Sequence, residues 1–369
     1  MLKGALIGCG YIFPRHVRAW AEVPDAELVA LCDLDLERAQ RLASRHGIAD
    51  AFASIDELLE EKAGELDFVD VAVPPEAHRI VVEKAVSHGI NILCQKPMAH
   101  TLQDTLAITR VTELASVTGA VNEMWKWLPA YAHAGAMIAS GDLGHIERVR
   151  FTAECNLLLP RRGEFAFPGV ADEDPDVYDE LFRRYQPMPR MILLDYGPHI
   201  LDVLRFWFGE PTALRASVAR THPGVAGDDA ANVTLRYPSF DAEMAIDVSR
   251  PGPEVRDNLD AEAVAVRGSK GLLTVMAGKW LEWHPTNGER VRISFPQEPR
   301  VEAFRNSHQD FVNSLKEGRS PQSSMTDSLR TQSLVFAAYE SARRDGSWVT
   351  QPSEFASNHH PNRHQESVG

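Results

Sequence analysis

Residues 2–18 read LKGALIGCGYIFPRHVR, a short apolar run followed by a glycine turn and a segment with helical periodicity. The apolar residues suit a buried parallel strand, and Pro14 is tolerated in a first helical turn, where its missing N–H costs no hydrogen bond. Amides at such a helix start carry partial positive charge, and Gly8 and Gly10 leave room for an anion to approach them. The stretch therefore predicts a strand, a turn and a helix suited to receive a phosphate group.

The glycine pattern is incomplete, because Phe13 occupies the third position of G-x-G-x-x-G. The glycine usually found there lets helix and strand pack closely, so Phe13 predicts a wider helix offset or a ring turned aside. Taken alone, the pattern is equally compatible with a glycine turn in any α/β domain. The remainder of the chain has to discriminate between the two interpretations.

The length of 369 residues indicates about two domains. A net charge of -14 argues against nucleic-acid binding, and no apolar run is long enough to span a membrane. We recognise no secretory signal, so we expect a cytoplasmic protein. The cysteines form no C-x-x-C pair, and we expect buried hydrophobes rather than disulfides or a metal site. The four are Cys9, Cys32, Cys94 and Cys155.

Apolar strands alternate with helical segments through the first third of the chain, which is typical of βαβ units and a parallel sheet. The predicted strands after the first are 26–33, 68–73, 90–94 and 120–122, and the helices between them are 36–46, 77–88 and 101–117. Ligands of such sheets bind at the carboxyl edge of the strands. We therefore expect Gly8, Asp33, Pro74 and Lys96 at one edge, in a domain that spans residues 1–122.

Two of these residues have alternative interpretations. Asp33 lies 25 residues after Gly8, where an acidic residue that holds the adenosine ribose is expected, but it could also cap the next helix. Lys96 follows a buried strand directly, which suits a cofactor crevice, although a solvated loop lysine would look the same.

The second part of the chain, residues 123–352, changes to a period of two, which predicts an α+β domain with a half-buried antiparallel meander that helices close. Residues 157–189 read as a long irregular loop, and residues 353–369 as a disordered tail. A helix is predicted over 198–208, with His199 in its first turn between Asp195 and Asp202. A histidine flanked by two carboxylates is a plausible base with an orienting partner.

At this point the residues resemble the Gfo/Idh/MocA family of glucose-fructose oxidoreductases and inositol dehydrogenases, over nearly the whole chain. Gln95 stands where the family's E-K-P signature has Glu, Phe13 where Gly or Ala is usual, and KWLP where R-F-x-P is usual. The motifs that carry the resemblance are GCGYIFPRH at 8–16, VAVPPEAH at 71–78, QKP at 95–97, KWLP at 126–129, DYGPHILD at 195–202, G-x-P at 209–211, VRGSKGLLTV at 266–275, and the segment 311–349.

The resemblance implies a Rossmann dinucleotide-binding domain, an α+β substrate domain, and hydride transfer between nicotinamide and a secondary alcohol or ketone of a sugar, cyclitol or sugar derivative. It implies Lys96, Asp195 and His199 as catalytic residues. The implied cofactor-binding residues are Gly8, Gly10, Tyr11, Ile12, Asp33, Pro74, His78 and Lys96. The implied substrate-binding residues are Lys126, Trp127, Arg161, Asp195 and His199, and Trp127, like Trp125, could instead be a core aromatic.

The carboxylate of Asp33 favours NAD over NADP, whose 2′-phosphate it would repel. The strands of the second domain resemble the family's open, mainly antiparallel sheet, whose uncovered face would otherwise expose an apolar patch, and this favours a homodimer or homotetramer. Arginines 161, 162, 183, 184 and 190 could bind an anionic sugar, or could only balance neighbouring carboxylates on a solvated loop. Two other functions stay open, a family enzyme that uses transient oxidation for elimination, glycoside cleavage or decarboxylation, and a catalytically silent sensor.

Overall fold

The computed structural model of the chain describes residues 1–154, 185–249, 262–295 and 298–350. Contacts divide them into two compact units. Unit 1 holds Met1–Met124 and Val301–Gln332, and unit 2 holds the described residues between Trp125 and Arg300 together with those from Ser333 onward. Within the described residues, no helix has both the length and the apolar character needed to cross a membrane.

Unit 1 contains a six-stranded parallel sheet in the order β3-β2-β1-β4-β5-β6. Its strands are β1 (Leu2–Ile7), β2 (Ala26–Cys32), β3 (Asp50–Phe52), β4 (Phe68–Val71), β5 (Asn91–Cys94) and β6 (Gly119–Val121). Its first five helices are α1 (Phe13–Ala21), α2 (Leu36–His46), α3 (Ile55–Lys62), α4 (Pro75–Ser87) and α5 (Leu102–Leu114). The strand order reverses between β1 and β4, which is where ligands of doubly wound sheets bind.

The strands of this sheet are buried on both faces, as their near-continuous apolar sequences predict. One core lies between the sheet and α4 and α5, and a second one contains Phe13 and Val17 of α1 and Leu42 of α2. The α/β class expected from the sequence is therefore confirmed for this unit.

A later segment completes unit 1. Helices α9 (Pro299–Glu317) and α10 (Met325–Arg343) follow each other, and Phe311 of α9 packs in one cluster with Trp20 and Phe68. Val121 donates its N–H to the carbonyl of Ser323 at 2.8 Å. Residues 301–332 therefore group with the first unit, whereas the sequence analysis placed them in the second domain.

Unit 2 contains a nine-stranded sheet in the order β14-β13-β12-β11-β7-β10-β9-β8-β15. Its strands are β7 (Ile146–Glu154), β8 (Ala213–Ala219), β9 (Ala230–Arg236), β10 (Asp241–Asp247), β11 (Glu262–Gly268), β12 (Gly271–Met276), β13 (Trp280–Pro285), β14 (Val291–Ser294) and β15 (Val349–Thr350). Only the β7–β10 pair among these described strands is parallel, so the sheet is mixed and mainly antiparallel, as expected from the sequence. The sequence analysis did not identify β3, β13, β14 or β15.

Three helices of unit 2 carry the residues of interest. They are α6 (Pro129–Ala139), α7 (Ile192–Asp195) and α8 (Gly197–Phe208), and a 3₁₀ turn (Trp125–Trp127) precedes α6. The sequence predicts a helix that opens within residues 122–129 and runs to about Ser140, but in the structure α6 begins only at Pro129, after the 3₁₀ turn. The long loop and the tail predicted over 157–189 and 353–369 lie largely outside the described residues.

Candidate active site

The glycine turn after β1 requires its first glycine. Gly8 has φ +102°, and a Cβ there would lie 2.7 Å from the backbone carbonyl carbon of Ala72. At Gly10, in contrast, a Cβ would meet no described atom within 4 Å. Helix α1 begins next, and its N-cap is Ile12. Among the described residues, no side chain forms a capping hydrogen bond at this helix start. An open approach to an uncapped helix start fits a dinucleotide pyrophosphate.

Phe13 is accommodated by turning its ring into the core. The side chain is 1% exposed, and its ring meets His46 of α2 edge-on at 5.6 Å. Of the two outcomes expected for this position, the structure shows the ring turned aside. Tyr11 lies under the guanidinium of Arg15, 5.9 Å from its ring centre.

Asp33 is held by two backbone amides. Its Oδ2 accepts the N–H of Cys9 at 2.7 Å, and its Oδ1 accepts the N–H of Asp35 at 2.9 Å. The N-cap of α2 is Asp35, which accepts the N–H of Arg38. Asp33 thus joins the glycine turn to the end of β2, and its carboxylate fits the ribose hydroxyls of a dinucleotide.

His78 joins the turns that follow β4 and β5. It is fully buried in α4, and its ring nitrogens lie 2.9 Å from the carbonyl oxygen of Val73 and 3.1 Å from that of Met98. Pro74 is the N-cap of the same helix. Direct contact of Pro74 or His78 with the cofactor stays a prediction.

Lys96 lies in the turn that leaves β5 and is half-buried. Its backbone N–H donates to Oε1 of Gln95 at 2.7 Å, and the Lys96–Pro97 peptide bond is cis. Gly8, Asp33, Pro74 and Lys96 all follow strands of the one parallel sheet, as expected from the sequence.

A buried polar cluster lies beside this edge of the sheet. His16, Asp70 and His308 are each 0% exposed, and one ligand-type atom from each lies within 4.8 Å of the others. Nδ1 of His16 and Oδ2 of Asp70 are 2.7 Å apart, a hydrogen-bond distance, whereas two ligands of one tetrahedral zinc ion would be roughly 3.3 Å apart. We therefore describe the cluster as a hydrogen-bonded one.

Burial alone would raise the pKa of Asp70, but His16 and His308 together hold it well below its usual range. Burial lowers the pKa of His308, and Asp70 acts in the opposite direction. Trp20 also donates its Nε1–H to Asp70 at 2.6 Å. The carboxylate therefore stays ionised inside the unit.

In unit 2, Asp228 anchors the start of α7. Its two carboxylate oxygens accept the N–H groups of Met191 and Leu193, each at 2.9 Å, and the hydroxyl of Tyr339 donates to the same carboxylate. Helix α7 ends at Asp195, and α8 begins two residues later. Asp228 thus fixes the start of the short helix that ends at Asp195, and this helix leads directly into the one that carries His199.

His199 is 5% exposed and stacks on Trp125, with ring centres 4.2 Å apart and planes 10° apart. Tyr196 meets the same indole edge-on at 5.0 Å. Beneath them, Glu262 is fully buried and accepts hydrogen bonds from the hydroxyls of Tyr131 and Tyr196. Burial, with Glu262 nearby, raises the pKa of Tyr131 well above its ordinary value, so that phenol remains a donor.

Lys126 is 3% exposed, and its ammonium lies 3.1 Å from a carboxylate oxygen of Asp202. Asp202 therefore forms an ion pair with Lys126. This contact is in addition to the role predicted for Asp202, which was to flank His199. Trp127 is half-buried, and its contact with substrate, like that of Lys126, stays a prediction.

Arg161, Arg162, Arg183 and Arg184 lie outside the described residues. Arg190 is described, and its guanidinium lies over the rings of Phe336 and Tyr339, 5.8 and 5.4 Å from their centres. Arg190 therefore makes cation–π contacts with two rings of its own unit.

Cys9, Cys32 and Cys94 are buried, as expected, and each is a free thiol; Cys155 lies outside the described residues. Burial raises the pKa of Cys32 to about 12 and those of the other two further, so these thiols stay protonated.

Sequence reasoning missed several buried polar residues. Asp70 could have been noticed, because a carboxylate within the apolar strand FVDV must find partners, but its partners His16 and His308 come from distant segments. Glu262 and Asp228 carry no local signal that distinguishes them from surface acids.

Similarity to known proteins extends over most of the chain. The family model for the NAD-binding Rossmann fold of Gfo/Idh/MocA oxidoreductases matches residues 2–123, and the model for the GFO/IDH/MocA C-terminal domain matches residues 131–274. A D-apiose dehydrogenase of Paraburkholderia graminis is 34% identical over 354 residues, which cover 92% of this chain and 88% of that protein. Another from Rhizobium rhizogenes is 30% identical, covering 92% and 95%.

Among solved structures, an oxidoreductase from Agrobacterium radiobacter in complex with NAD+, L-tartaric acid and magnesium superimposes with a TM-score of 0.81. It is 28% identical and covers 95% of this chain and 98% of its own. The family models alone match more than half of the chain. The chain is therefore an NAD(P)-dependent dehydrogenase of the Gfo/Idh/MocA family.

Proposed function

We propose that this dehydrogenase transfers hydride between NAD and a secondary alcohol or ketone of a sugar, cyclitol or related polyol, with Lys96, Asp195 and His199 as its catalytic residues. The observation that carries the proposal is the placement of Lys96, half-buried at the sheet edge that also carries the glycine turn and Asp33. A fixed cation at a dinucleotide edge suits stabilisation of an oxyanion.

Each residue has a defined task in the oxidation. The alcohol must lose its hydroxyl proton, which His199 accepts as the general base. Lys96 stabilises the negative charge that develops on the oxygen, and Asp195 orients either His199 or the substrate. NAD, when bound, supplies the hydride acceptor.

The glycine turn and Asp33 would hold the dinucleotide. The proposed preference is for NAD, because the Asp33 carboxylate would repel a 2′-phosphate. Arg38, the nearby cation, has its Nε 3.8 Å from a carboxylate oxygen of Asp35. An arginine held near an acid is less suited to bind that phosphate.

The substrate class is tested by a nicotinamide absorbance assay with a panel of polyols. The two relatives named D-apiose dehydrogenases make D-apiose the first candidate, followed by inositols, D-xylose, and a uronate with its neutral parent sugar. Product masses are read in parallel. A mass two units below the alcohol, with one NADH per turnover, supports the proposal, whereas an elimination or cleavage product without net NADH supports transient oxidation. Dinucleotide binding without turnover of any panel member favours a sensor.

We also propose a homodimer or homotetramer that assembles through the uncovered face of the nine-stranded sheet. Alternating residues of β12 are half-buried on that face, among them Leu272 and Met276, and exposed Arg148 and Arg150 of β7 lie on the same face on the other side of β11. Methionine and arginine are both enriched at protein interfaces relative to the rest of the surface, so their presence supports this face as the contact between copies.

A further inference from the structure

A continuous chain of hydrogen bonds in unit 1 leads from a buried carboxylate to the backbone of Lys96. Asp70 and His16 are fully buried, and Gln95 is 7% exposed. Nδ1 of His16 lies 2.7 Å from Asp70, Nε2 of His16 lies 3.3 Å from Nε2 of Gln95, and Oε1 of Gln95 accepts the Lys96 N–H at 2.7 Å. The three side chains come from β4, from α1 and from the turn that follows β5.

The donors and acceptors determine the role of every group in this chain. The N–H of Lys96 can only donate, so the amide oxygen of Gln95 must face it, and the amide nitrogen faces His16. That nitrogen also only donates, so Nε2 of His16 is the acceptor. The proton of the imidazole is therefore on Nδ1, from which it is donated to Asp70.

We propose that Asp70, His16 and Gln95 form a positioning relay that holds the Lys96 turn in the geometry required for hydride transfer. The inference rests on the proposed function, because it assumes that Lys96 is the catalytic cation. His16 belongs to α1, the helix that follows the glycine turn. The relay therefore couples the dinucleotide-binding helix to the lysine through buried contacts that exclude water.

The relay also explains why glutamine suits position 95. A carboxylate there would accept from the Lys96 N–H and from Nε2 of His16, so that the imidazole would need protons on both nitrogens. It would then be a buried cation between two carboxylates, with His308 also 3.6 Å from Asp70. With Gln95 the ring is satisfied as the neutral Nδ1–H tautomer.

The test compares His16→Asn, Gln95→Leu and Gln95→Glu with the wild-type protein. Asparagine keeps a donor toward Asp70 but has no atom that reaches Gln95, and leucine removes both polar atoms of residue 95. His308→Gln is the matched control, because it perturbs the same buried cluster without touching Gln95. Two variants that break the relay at different points keep the test valid if one fails to fold.

The first readout needs no substrate. Hydrogen exchange of a peptide covering residues 95–98 is expected to accelerate at least tenfold in His16→Asn and Gln95→Leu and to stay at the wild-type rate in His308→Gln. Nitrogen-15 spectra of labelled histidine are expected to show one protonated nitrogen for His16 in the wild type and two in Gln95→Glu. Unchanged exchange in both relay variants would overturn the relay.

The second readout is kinetic. We expect kcat to fall about tenfold to a hundredfold in His16→Asn and Gln95→Leu, with the Kd of NAD within twofold of wild type, since small displacements of a catalytic group lower the rate strongly. Accelerated exchange with an unchanged kcat would refute positioning. A wild-type protein that turns over no alcohol, but whose variants show accelerated exchange, would retain the relay and reject the proposed function.

Discussion

The two proposed catalytic side chains, Lys96 and His199, lie in different local environments. Lys96 is half-buried in a turn, whereas His199 is 5% exposed and stacked on Trp125. Removing the lysine ammonium should leave packing intact, but truncating His199 to alanine opens a cavity beside the indole. Because His199 is buried, we expect its truncation to lower stability, whereas the change at Lys96 should not.

We predict that Lys96→Met and His199→Asn each lose a factor of about 10² to 10⁴ in turnover while still binding NAD. The first variant loses the cation that stabilises the oxyanion, and the second loses the general base. His199→Ala should in addition lower the free energy of unfolding by about 2 kcal/mol, so this variant should unfold at a lower urea concentration. Steady-state kinetics and urea denaturation measure the two effects. Near wild-type turnover in Lys96→Met would remove that residue from the mechanism.

Asp33 is the residue on which the choice of dinucleotide depends. We predict that the wild type binds NAD more tightly than NADP, and that Asp33→Asn reduces this preference at least tenfold, because it removes the charge and keeps an acceptor for the Cys9 N–H. Fluorescence titration with both dinucleotides measures it. Glu37→Gln, an exposed change in the first turn of α2, is the control and should keep the preference.

At the level of elements, α7 depends on an acid that is distant in sequence. Asp228 accepts the two amides that begin this helix, and charged acceptors of this kind contribute about 1.5 to 3 kcal/mol each. The helix is four residues long, so it has little stability of its own.

We therefore predict that Asp228→Ala lowers the free energy of unfolding by about 3 kcal/mol and also lowers kcat, because Asp195 at the end of α7 loses its fixed position. Asp229→Ala is the matched control. Asp229 is also buried, but it accepts the amides of Thr221 and His222 rather than those of α7. If both variants lose stability and kcat equally, the assignment of Asp228 to site geometry is wrong.

At the scale of the whole molecule, stability should depend on pH through His308. Burial lowers its pKa in the folded protein, so the unfolded chain takes up the proton more readily. The native state should therefore lose stability as pH falls below about 6.5, the ordinary value for histidine, by up to about 1.4 kcal/mol per pH unit. Asp70, whose pKa is lowered, adds a further loss only below about pH 4.

Chemical denaturation at pH 7.5, 6.5 and 5.5 measures this dependence. His308→Gln removes the titrating group and should flatten the profile, whereas His88→Gln, an exposed histidine at the end of α4, should leave it unchanged. A wild-type profile that is flat over this range would contradict the prediction.

Assembly is the second property at this scale. Light scattering at micromolar concentration should give a mass of at least twice 41.0 kDa. Met276→Glu, on the uncovered sheet face, should shift the mass toward that of the monomer, and Glu37→Gln, in unit 1, should not. A wild-type mass near 41.0 kDa would end the proposal.

The sequence by itself determined the features that depend on neighbouring residues. The strand, turn and helix around Gly8, the helix over Leu36–His46 and the cap at Thr101 were all predictable, because periodicity, glycine and capping side chains act over a few residues. The common edge of Gly8, Asp33 and Lys96 was also predictable, since parallel strands of βαβ units end on the same side.

Only the tertiary structure decided which buried groups meet. His16 and Asp70 are 54 residues apart, and His199 finds Trp125 from another element, contacts that no local pattern specifies. The grouping of residues 301–332 with unit 1 depends on Phe311 packing in one cluster with Trp20 and Phe68. A local pattern shows which face of a helix is apolar, but packing in three dimensions selects the partner, because burial of apolar area is non-directional.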